Sequence, residues 1–143
     1  VSTKRTHFVG SPKTEGALRR IANRRYTIVE AGQAIEAAGV LIKAVPAYNT
    51  DKPFHPKEMK GVGYIVEIDD QKVYFAGDTD LIPEMKDIAC DIAILPVGGT
   101  YTMNADEAAR AFQLVGATEG IPMHYGTVIG AQSDADRFKK LIS

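Results

Sequence analysis

The sequence predicts a layered α/β sandwich in which strands dominate the first half of the chain. Three observations support this fold class. Short apolar runs rich in β-branched and aromatic residues recur up to residue 76, as is typical of buried strands. From residue 91 onward such runs alternate with stretches of helical periodicity. The run 73–76 ends directly in Gly77-Asp78, and strand ends are where layered α/β folds usually build their sites.

The first half of the chain is divided into a polar arm or loop over residues 1–13 and the start of a single domain that covers 14–143. Thr14 can cap a short helix over 15–23, whose apolar positions share one face. Apolar runs then predict five strands, at 26–29, 33–37, 40–45, 63–68 and 72–76. The last two form a hairpin. Residues 48–60 form a long irregular loop of the kind that is usually functional or disordered.

The second half alternates strands and helices. Pro83 is tolerated in the first turn of a short helix over 81–88, with Asp80 as its cap. Asn104 and Glu107 form a capping box that starts a helix ending near residue 115. Strands are predicted at 91–97 and 121–124, and Ser133 is predicted to cap a final helix.

Size and composition are those of one globular domain. The chain has 143 residues, 45% hydrophobic and 24% charged, so it can bury a substantial core. Seventeen basic and eighteen acidic residues leave a formal charge of −1, which gives no electrostatic basis for binding nucleic acid or an anionic membrane. No run is as long as a membrane span and no signal-peptide pattern opens the chain, so we expect a cytoplasmic protein.

The single cysteine, Cys90, excludes an internal disulfide and fits a reducing compartment. It precedes an apolar strand and has neither Cys nor His beside it. We interpret it as a buried structural thiol rather than a nucleophile. The chain also lacks a Gly-x-Ser-x-Gly nucleophile motif and a phosphate-binding glycine loop.

Two strand ends carry residues that could bind a metal ion. Asp78 follows the run 73–76, and His124 ends the run 121–124. A carboxylate at the end of a buried strand is costly unless it is paired, hydrogen-bonded or bound to a metal. An Asp and a His at two strand ends could converge on one ion. The alternative is an Asx turn at Asp78 and a core histidine at position 124.

Several motifs occur in an order that resembles the metallo-β-lactamase-fold hydrolases: Gly77-Asp78-Thr79, the run 91–99, Thr102-Met103 and the run 122–127. The branch most similar is that of the small metal-dependent hydrolases related to the L-ascorbate-6-phosphate lactonases. The resemblance runs from about Ala17 to the last residue. It implies the C-terminal part of an αββα sandwich that is incomplete at its N-terminus.

The resemblance implies a divalent metal centre, with zinc as the expected ion and manganese or iron as alternatives. In that family a metal-bound hydroxide attacks an ester, lactone or phosphodiester bond of a small-molecule substrate. Asp78 matches the bridging carboxylate and His124 a ligand of the second ion, so both are candidate catalytic residues. Thr79 and Tyr125 lie beside them. Each either orients a ligand or touches the substrate, or forms simple strand-end hydrogen bonds.

Two departures from the family pattern concern the remaining ligands. A histidine usually follows Pro-Ala in these relatives, whereas here Pro46-Ala47 precedes Tyr48-Asn49. The nearest histidine, His55, is a candidate metal ligand or substrate contact, or else an exposed residue. The family's His-x-His-x-Asp-His cluster does not occur, and residues 6–12 with His7 resemble its remnant. We therefore expect the first metal site to lack most of its ligands.

Two hypotheses about function follow. The first is a metal-dependent hydrolase, formed by a C-terminal piece of a longer chain or completed by another chain. The alternative is a catalytically impaired remnant that acts as a ligand-binding or oligomerising protein. In either case half of a sandwich exposes an apolar sheet face, so we expect a homo-oligomer or a partner chain that covers it.

Overall fold

The computed structural model describes residues 6–22 and 25–143, which form an α/β fold built on two β-sheets. The strands are β1 (Phe8–Gly10), β2 (Tyr26–Ile28), β3 (Ala34–Ala37), β4 (Val40–Pro46), β5 (Val62–Ile68), β6 (Gln71–Phe75), β7 (Ile92–Pro96) and β8 (Glu119–Met123). The α-helices are α1 (Glu15–Ile21), α2 (Ala105–Leu114) and α3 (Gln132–Ile142). Short 3₁₀ helices cover Pro12–Thr14, Lys57–Met59 and Pro83–Asp87. The fold class predicted from the sequence is therefore confirmed.

The main sheet has six strands in the order β3-β4-β5-β6-β7-β8. Strands β3 to β6 pair antiparallel, and β6, β7 and β8 pair parallel. Because of this arrangement β4, β6 and β8 all run in the same direction. Their carboxyl ends lie together along the border of the sheet where these strands end. We call this the site edge. The β5–β6 turn at Asp69 and Asp70 lies at the opposite edge, which we call the turn edge.

The two faces of the main sheet have different surroundings. On one face the fully buried Tyr74, Ala93 and Leu95 pack with residues of α2 and α3 such as Ala108 and Phe138. The other face, here called the apolar face, has only partial cover. It forms one wall of a groove of about 450 Å³, and its strand residues there are Ile42, Tyr64, Val66, Ile68, Val73, Phe75 and Ile94.

The small second sheet lies opposite the apolar face. Strands β1 and β2 pair in parallel, and α1 connects them. His7 and Val9 form the far wall of the groove. The expected polar arm over 1–13 is wrong for Phe8–Gly10, because this segment pairs its backbone with Tyr26–Ile28. Residues 1–5 of that arm lie outside the described residues.

The other predicted elements are present with ends shifted by one or two residues, although the helix expected over 81–88 is a 3₁₀ helix and the expected helix end at Asn23 lies outside the described residues. The main errors concern helix caps. The Asn104–Glu107 capping box is present at α2. Thr14 does not cap α1, since its hydroxyl donates instead to the Ser11 carbonyl. Ser133 lies inside α3, where Asp134 accepts from the backbone N–H of Ala131. In the residues that the structure describes, no helix is long and apolar enough to cross a membrane.

Candidate metal centre

Asp78, His124 and His55 meet at the site edge of the main sheet. Strand β6 leads through Ala76 and Gly77 into Asp78, and β8 leads directly into His124. Strand β4 ends at the same edge and leads into the loop that carries His55. The carboxyl ends of three strands that run in the same direction therefore bring together residues that are far apart in the sequence.

Each oxygen of Asp78 faces a different imidazole. The Nε2 atom of His55 lies 3.5 Å from Oδ2, and the Nε2 atom of His124 lies 3.7 Å from Oδ1. Both separations exceed the 2.7–3.2 Å of a direct N–H···O hydrogen bond. They are close to the roughly 3.3 Å that separates neighbouring ligand atoms around a tetrahedral ion with bonds of about 2.0–2.1 Å. Each imidazole therefore lies about as far from the carboxylate as two neighbouring ligands of one ion would lie from each other.

Three local features of His124 are unusual. Its backbone is left-handed, with φ of 59°, which is rare for a residue other than glycine and costs free energy. A Cβ atom on Gly98 would collide with the main-chain oxygen of His124, so a glycine is needed there. The Nδ1 atom of His124 is buried and has no hydrogen-bond partner among the described residues. Such an atom is costly unless something else binds to it.

The metal-binding set is incomplete in the residues that the structure describes. Within 6–22 and 25–143, no group of three or more His, Cys, Asp or Glu side chains has an arrangement that could hold a metal ion. The reason is visible in the geometry, because the two imidazoles approach different oxygens of Asp78. Asp78, His55 and His124 are therefore candidate ligands that would need further groups to complete a metal site.

A cleft of about 250 Å³ adjoins His55 and Asp78. Its remaining walls include Lys13 and Ser11 on one side and the apolar Met59 on the other. A cleft with apolar walls and a few polar groups is the usual form of a small-molecule site. A substrate bound here would lie directly beside the carboxylate of Asp78.

Thr79 and Tyr125 do not contact Asp78 or the two imidazoles through any described hydrogen bond. The Thr79 hydroxyl is fully buried, accepts from the backbone N–H of Tyr48 and donates to a neighbouring carbonyl. Of the two interpretations left open for Thr79, local hydrogen bonding is the one that the geometry supports. Tyr125 is partly buried and packs against the core.

Asp80 is part of the site edge rather than a helix cap, so the sequence interpretation of this residue is wrong. It is 2% exposed, and its carboxylate accepts from Lys52 Nζ at 2.6 Å and from Thr50 N at 2.9 Å. Burial by itself raises the pKa of Asp80. The hydrogen bonds from Lys52 and Thr50 outweigh burial, and the pKa lies below its ordinary value.

His7 lies away from the candidate centre. It belongs to the segment that enters β1, and its Nε2 atom lies 2.8 Å from the Thr27 hydroxyl on β2. It borders the groove over the apolar face rather than the cleft at Asp78. The interpretation of residues 6–12 as a remnant of a metal-binding cluster is therefore not supported, because Phe8–Gly10 forms the first strand of a β-α-β unit.

Cys90 takes no part in this site. The thiol is buried in the core, as predicted, and burial raises its pKa to about 11. A thiol that stays protonated at neutral pH is a poor nucleophile.

The sequence analysis missed Asn49 and the Lys52–Asp80 pair. Asn49 and Asp80 are polar but 6% and 2% exposed, which requires partners inside the fold. The one available signal was the loop of 48–60, which is too long and too polar for a simple connection. Nothing in the sequence shows which residues pair across it.

The chain matches one family model and is similar to several curated proteins. A family model described as a β-lactamase superfamily domain matches residues 8–124. A UPF0173 metal-dependent hydrolase from Thermococcus onnurineus is 37% identical over 112 residues, covering 75% of this chain and 50% of that protein. One from Methanoregula boonei is 39% identical over 119 residues, covering 78% and 54%. The chain thus spans about half the length of the curated relatives that it matches.

Solved structures agree with the sequence matches. A candidate metal-dependent hydrolase from Parabacteroides distasonis superposes with a TM-score of 0.77 at 32% identity, covering 96% of this chain and 60% of that one. Igni18, a metallo hydrolase from Ignicoccus hospitalis, gives 0.77 at 28% identity with the same coverage. A candidate zinc-dependent hydrolase of the metallo-β-lactamase superfamily from Thermotoga maritima gives 0.61 at 31% identity, covering 81% and 59%.

Proposed function

We propose that this chain, which belongs to the metallo-β-lactamase superfamily and to its UPF0173 metal-dependent hydrolases, contributes Asp78, His124 and His55 to a hydrolytic metal centre. Zinc is the proposed ion, in line with the zinc-dependent neighbour from Thermotoga maritima. The proposed substrate is a small molecule with an ester, lactone or phosphodiester bond. The observation that carries the proposal is that two imidazoles face different oxygens of the Asp78 carboxylate, just beyond the end of β6.

The chemistry of these side chains suits hydrolysis. A bound divalent ion polarises the scissile group and lowers the pKa of water. Asp78 would neutralise part of the positive charge of the bound metal. One of its oxygens faces His55 and the other faces His124, so the carboxylate could contribute a ligand beside each imidazole. His124 and His55 would bind as neutral imidazoles, which are borderline ligands suited to zinc. The cleft at His55 and Asp78 would orient the substrate.

The remaining ligands are proposed to come from polypeptide that packs on the apolar face. The relatives are about twice as long as the segment that matches them. The β1–β2 sheet opposite this face has only two parallel strands, and parallel sheets normally have more strands and are buried on both sides. In a preparation of this chain alone, we expect a second copy to occupy the face, because exposed apolar sheet surface favours association.

Metal content and sedimentation, measured on one sample of the purified chain, test these proposals together. We expect bound zinc, manganese or iron near one ion per chain, and a species larger than a monomer. Phe75→Glu, which places a charge on the apolar face, should shift the species towards monomer without removing the metal. A metal-free chain would contradict the proposed centre, and a stable compact monomer would contradict the covered face.

A second candidate function is a catalytically impaired member that binds a ligand or another chain. The observation in its favour is that the described residues form no complete set of ligands. Assays with bis-p-nitrophenyl phosphate and a panel of lactones separate the two candidates. Turnover that disappears in the Asp78→Ala variant supports the hydrolase, whereas metal binding without turnover supports the second candidate.

A further inference from the structure

We infer that Asn49 is a positioning residue that fixes His55 at the metal centre, an inference that rests on the proposed function. Asn49 touches neither Asp78 nor His124 through any described hydrogen bond. It acts instead through the loop of residues 49–55, which it closes at one end. The consequence is that a residue with no role in the chemistry sets how well the centre binds its ion.

Both main-chain groups of His55 are bonded to Asn49. The backbone N–H of His55 donates to Asn49 Oδ1 at 2.8 Å, and the backbone N–H of Asn49 donates to the His55 carbonyl at 2.7 Å. These two bonds close the loop into a ring. Asn49 is only 6% exposed, so water competes little for its amide. The backbone from which the His55 imidazole projects is thereby held in one position.

The same amide fastens the loop to the rest of the fold. Its Nδ2 atom donates to the carbonyl of Tyr101 at 2.9 Å. The ring of Phe54 packs edge-to-face on the ring of Tyr101, with 4.5 Å between the centroids. Because Asn49 uses both ends of its amide, it joins His55 to the segment before α2. An alanine at position 49 would lose both connections at once.

The middle of the loop has a second attachment, at Asp80, which also interacts with the Asn49 side chain. Asp80 accepts from Thr50 N and from Lys52 Nζ, and it lies two residues after Asp78. This second attachment keeps the loop on the protein when Asn49 is changed. Loss of the Asn49 side chain should therefore loosen the end that carries His55, which keeps the bond from the backbone N–H of residue 49, without unfolding the domain. That separation makes a positioning role distinguishable from a general structural one.

In the experiment, the wild-type chain and Asn49→Ala are titrated with Co²⁺, and binding is monitored by the absorption of the bound ion. The affinity for Zn²⁺ is then measured by its competition with Co²⁺. We expect Asn49→Ala to bind about 10–100-fold more weakly, the usual cost of losing a residue that orients a metal ligand. Adding Asn49→Ala to a His55→Ala variant should weaken binding no further. Gln33→Ala is the matched control, since its amide also accepts a nearby backbone N–H, from Glu30 at 2.7 Å, away from the centre. Its affinity should equal that of the wild type.

A metal-free measurement makes failure of the inference distinguishable from failure of the proposed function. Without Asn49 Oδ1, the backbone N–H of His55 should exchange with solvent at least about tenfold faster, while core amides and the unfolding temperature change little. Unchanged exchange and unchanged Co²⁺ affinity would overturn the inference. The inference would also be overturned if Asn49→Ala weakened Co²⁺ binding equally in the wild-type chain and in the His55→Ala variant. If the wild-type chain binds no Co²⁺ but Asn49→Ala still shows faster exchange at His55, the metal centre is overturned. The proposed placement of His55 by Asn49 then still stands.

Discussion

Each of the two edges of the main sheet carries a pair of oppositely charged side chains, and the two pairs differ in burial. At the site edge, Asp80 is 2% exposed and its Oδ1 lies 2.6 Å from Lys52 Nζ. At the turn edge, Glu67 and Lys72 lie 3.8 Å apart, and their side chains are about half exposed. A protein bears the cost of burying charge only where the charges are fixed by partners. The difference indicates that the site edge is organised to hold charged groups in place, whereas the turn edge is merely solvated.

The largest expected effect contrasts one aspartate from each edge. Asp78→Asn should weaken binding of Zn²⁺ more than about 100-fold, beyond the 10–100-fold typical of residues that only orient a ligand. Asp70→Asn at the turn edge removes the same charge and keeps a residue that tolerates its left-handed backbone, where φ is 64°. It should leave binding unchanged. Equal losses in both variants, measured by competition titration, would mean that net charge rather than coordination attracts the ion.

The next effect concerns the two ion pairs themselves. Lys52→Met leaves the Asp80 carboxylate buried without its cation, which should lower the free energy of unfolding by about 3–5 kcal/mol. Lys72→Met at the turn edge should change it by less than about 1 kcal/mol. Urea denaturation of both variants measures the difference. If the two substitutions cost the same, the comparison between the edges is wrong.

A smaller effect of opposite sign distinguishes two tyrosines. The Tyr74 hydroxyl is buried and has no partner among the described residues, so Tyr74→Phe should stabilise the fold by about 1 kcal/mol. The Tyr48 hydroxyl, near the site edge, donates to Glu84 at 2.8 Å, so Tyr48→Phe should destabilise by about 1 kcal/mol. Thermal unfolding should move in opposite directions for the two variants, and shifts of the same sign would contradict this assignment.

The smallest effect is a dependence of stability on pH at Glu84. The hydrogen bond from Lys57 holds the pKa of Glu84 below its ordinary value. A carboxylate whose pKa is lower in the folded state contributes stability that is present at neutral pH. That contribution is lost as the pH falls through the lowered folded value. The stability advantage of wild type over Glu84→Gln should therefore shrink on acidification from pH 7 to pH 3, and an advantage that grows would contradict it.

The sequence predicted the fold class and the proximity of two strand-end residues for a common physical reason. Strands read directly from apolar runs, and the residue after each run lies at a sheet edge by necessity, so Asp78 and His124 could be expected together. The role of His55 stayed open because its position depends on Asn49, Tyr101 and Asp80, which no local pattern links to it. His7 resembled a ligand only in its sequence neighbours. In the structure its side chain hydrogen-bonds to Thr27 on β2 instead.

The most direct measurement is anomalous diffraction at the zinc edge from crystals of the chain grown with Zn²⁺. The account predicts an anomalous peak at the site edge, within bonding distance of Asp78 and at least one of the His55 and His124 imidazoles. A peak at His7, or none at Asp78 in crystals that hold zinc elsewhere, would contradict the central claim that the ends of β4, β6 and β8 form a metal centre.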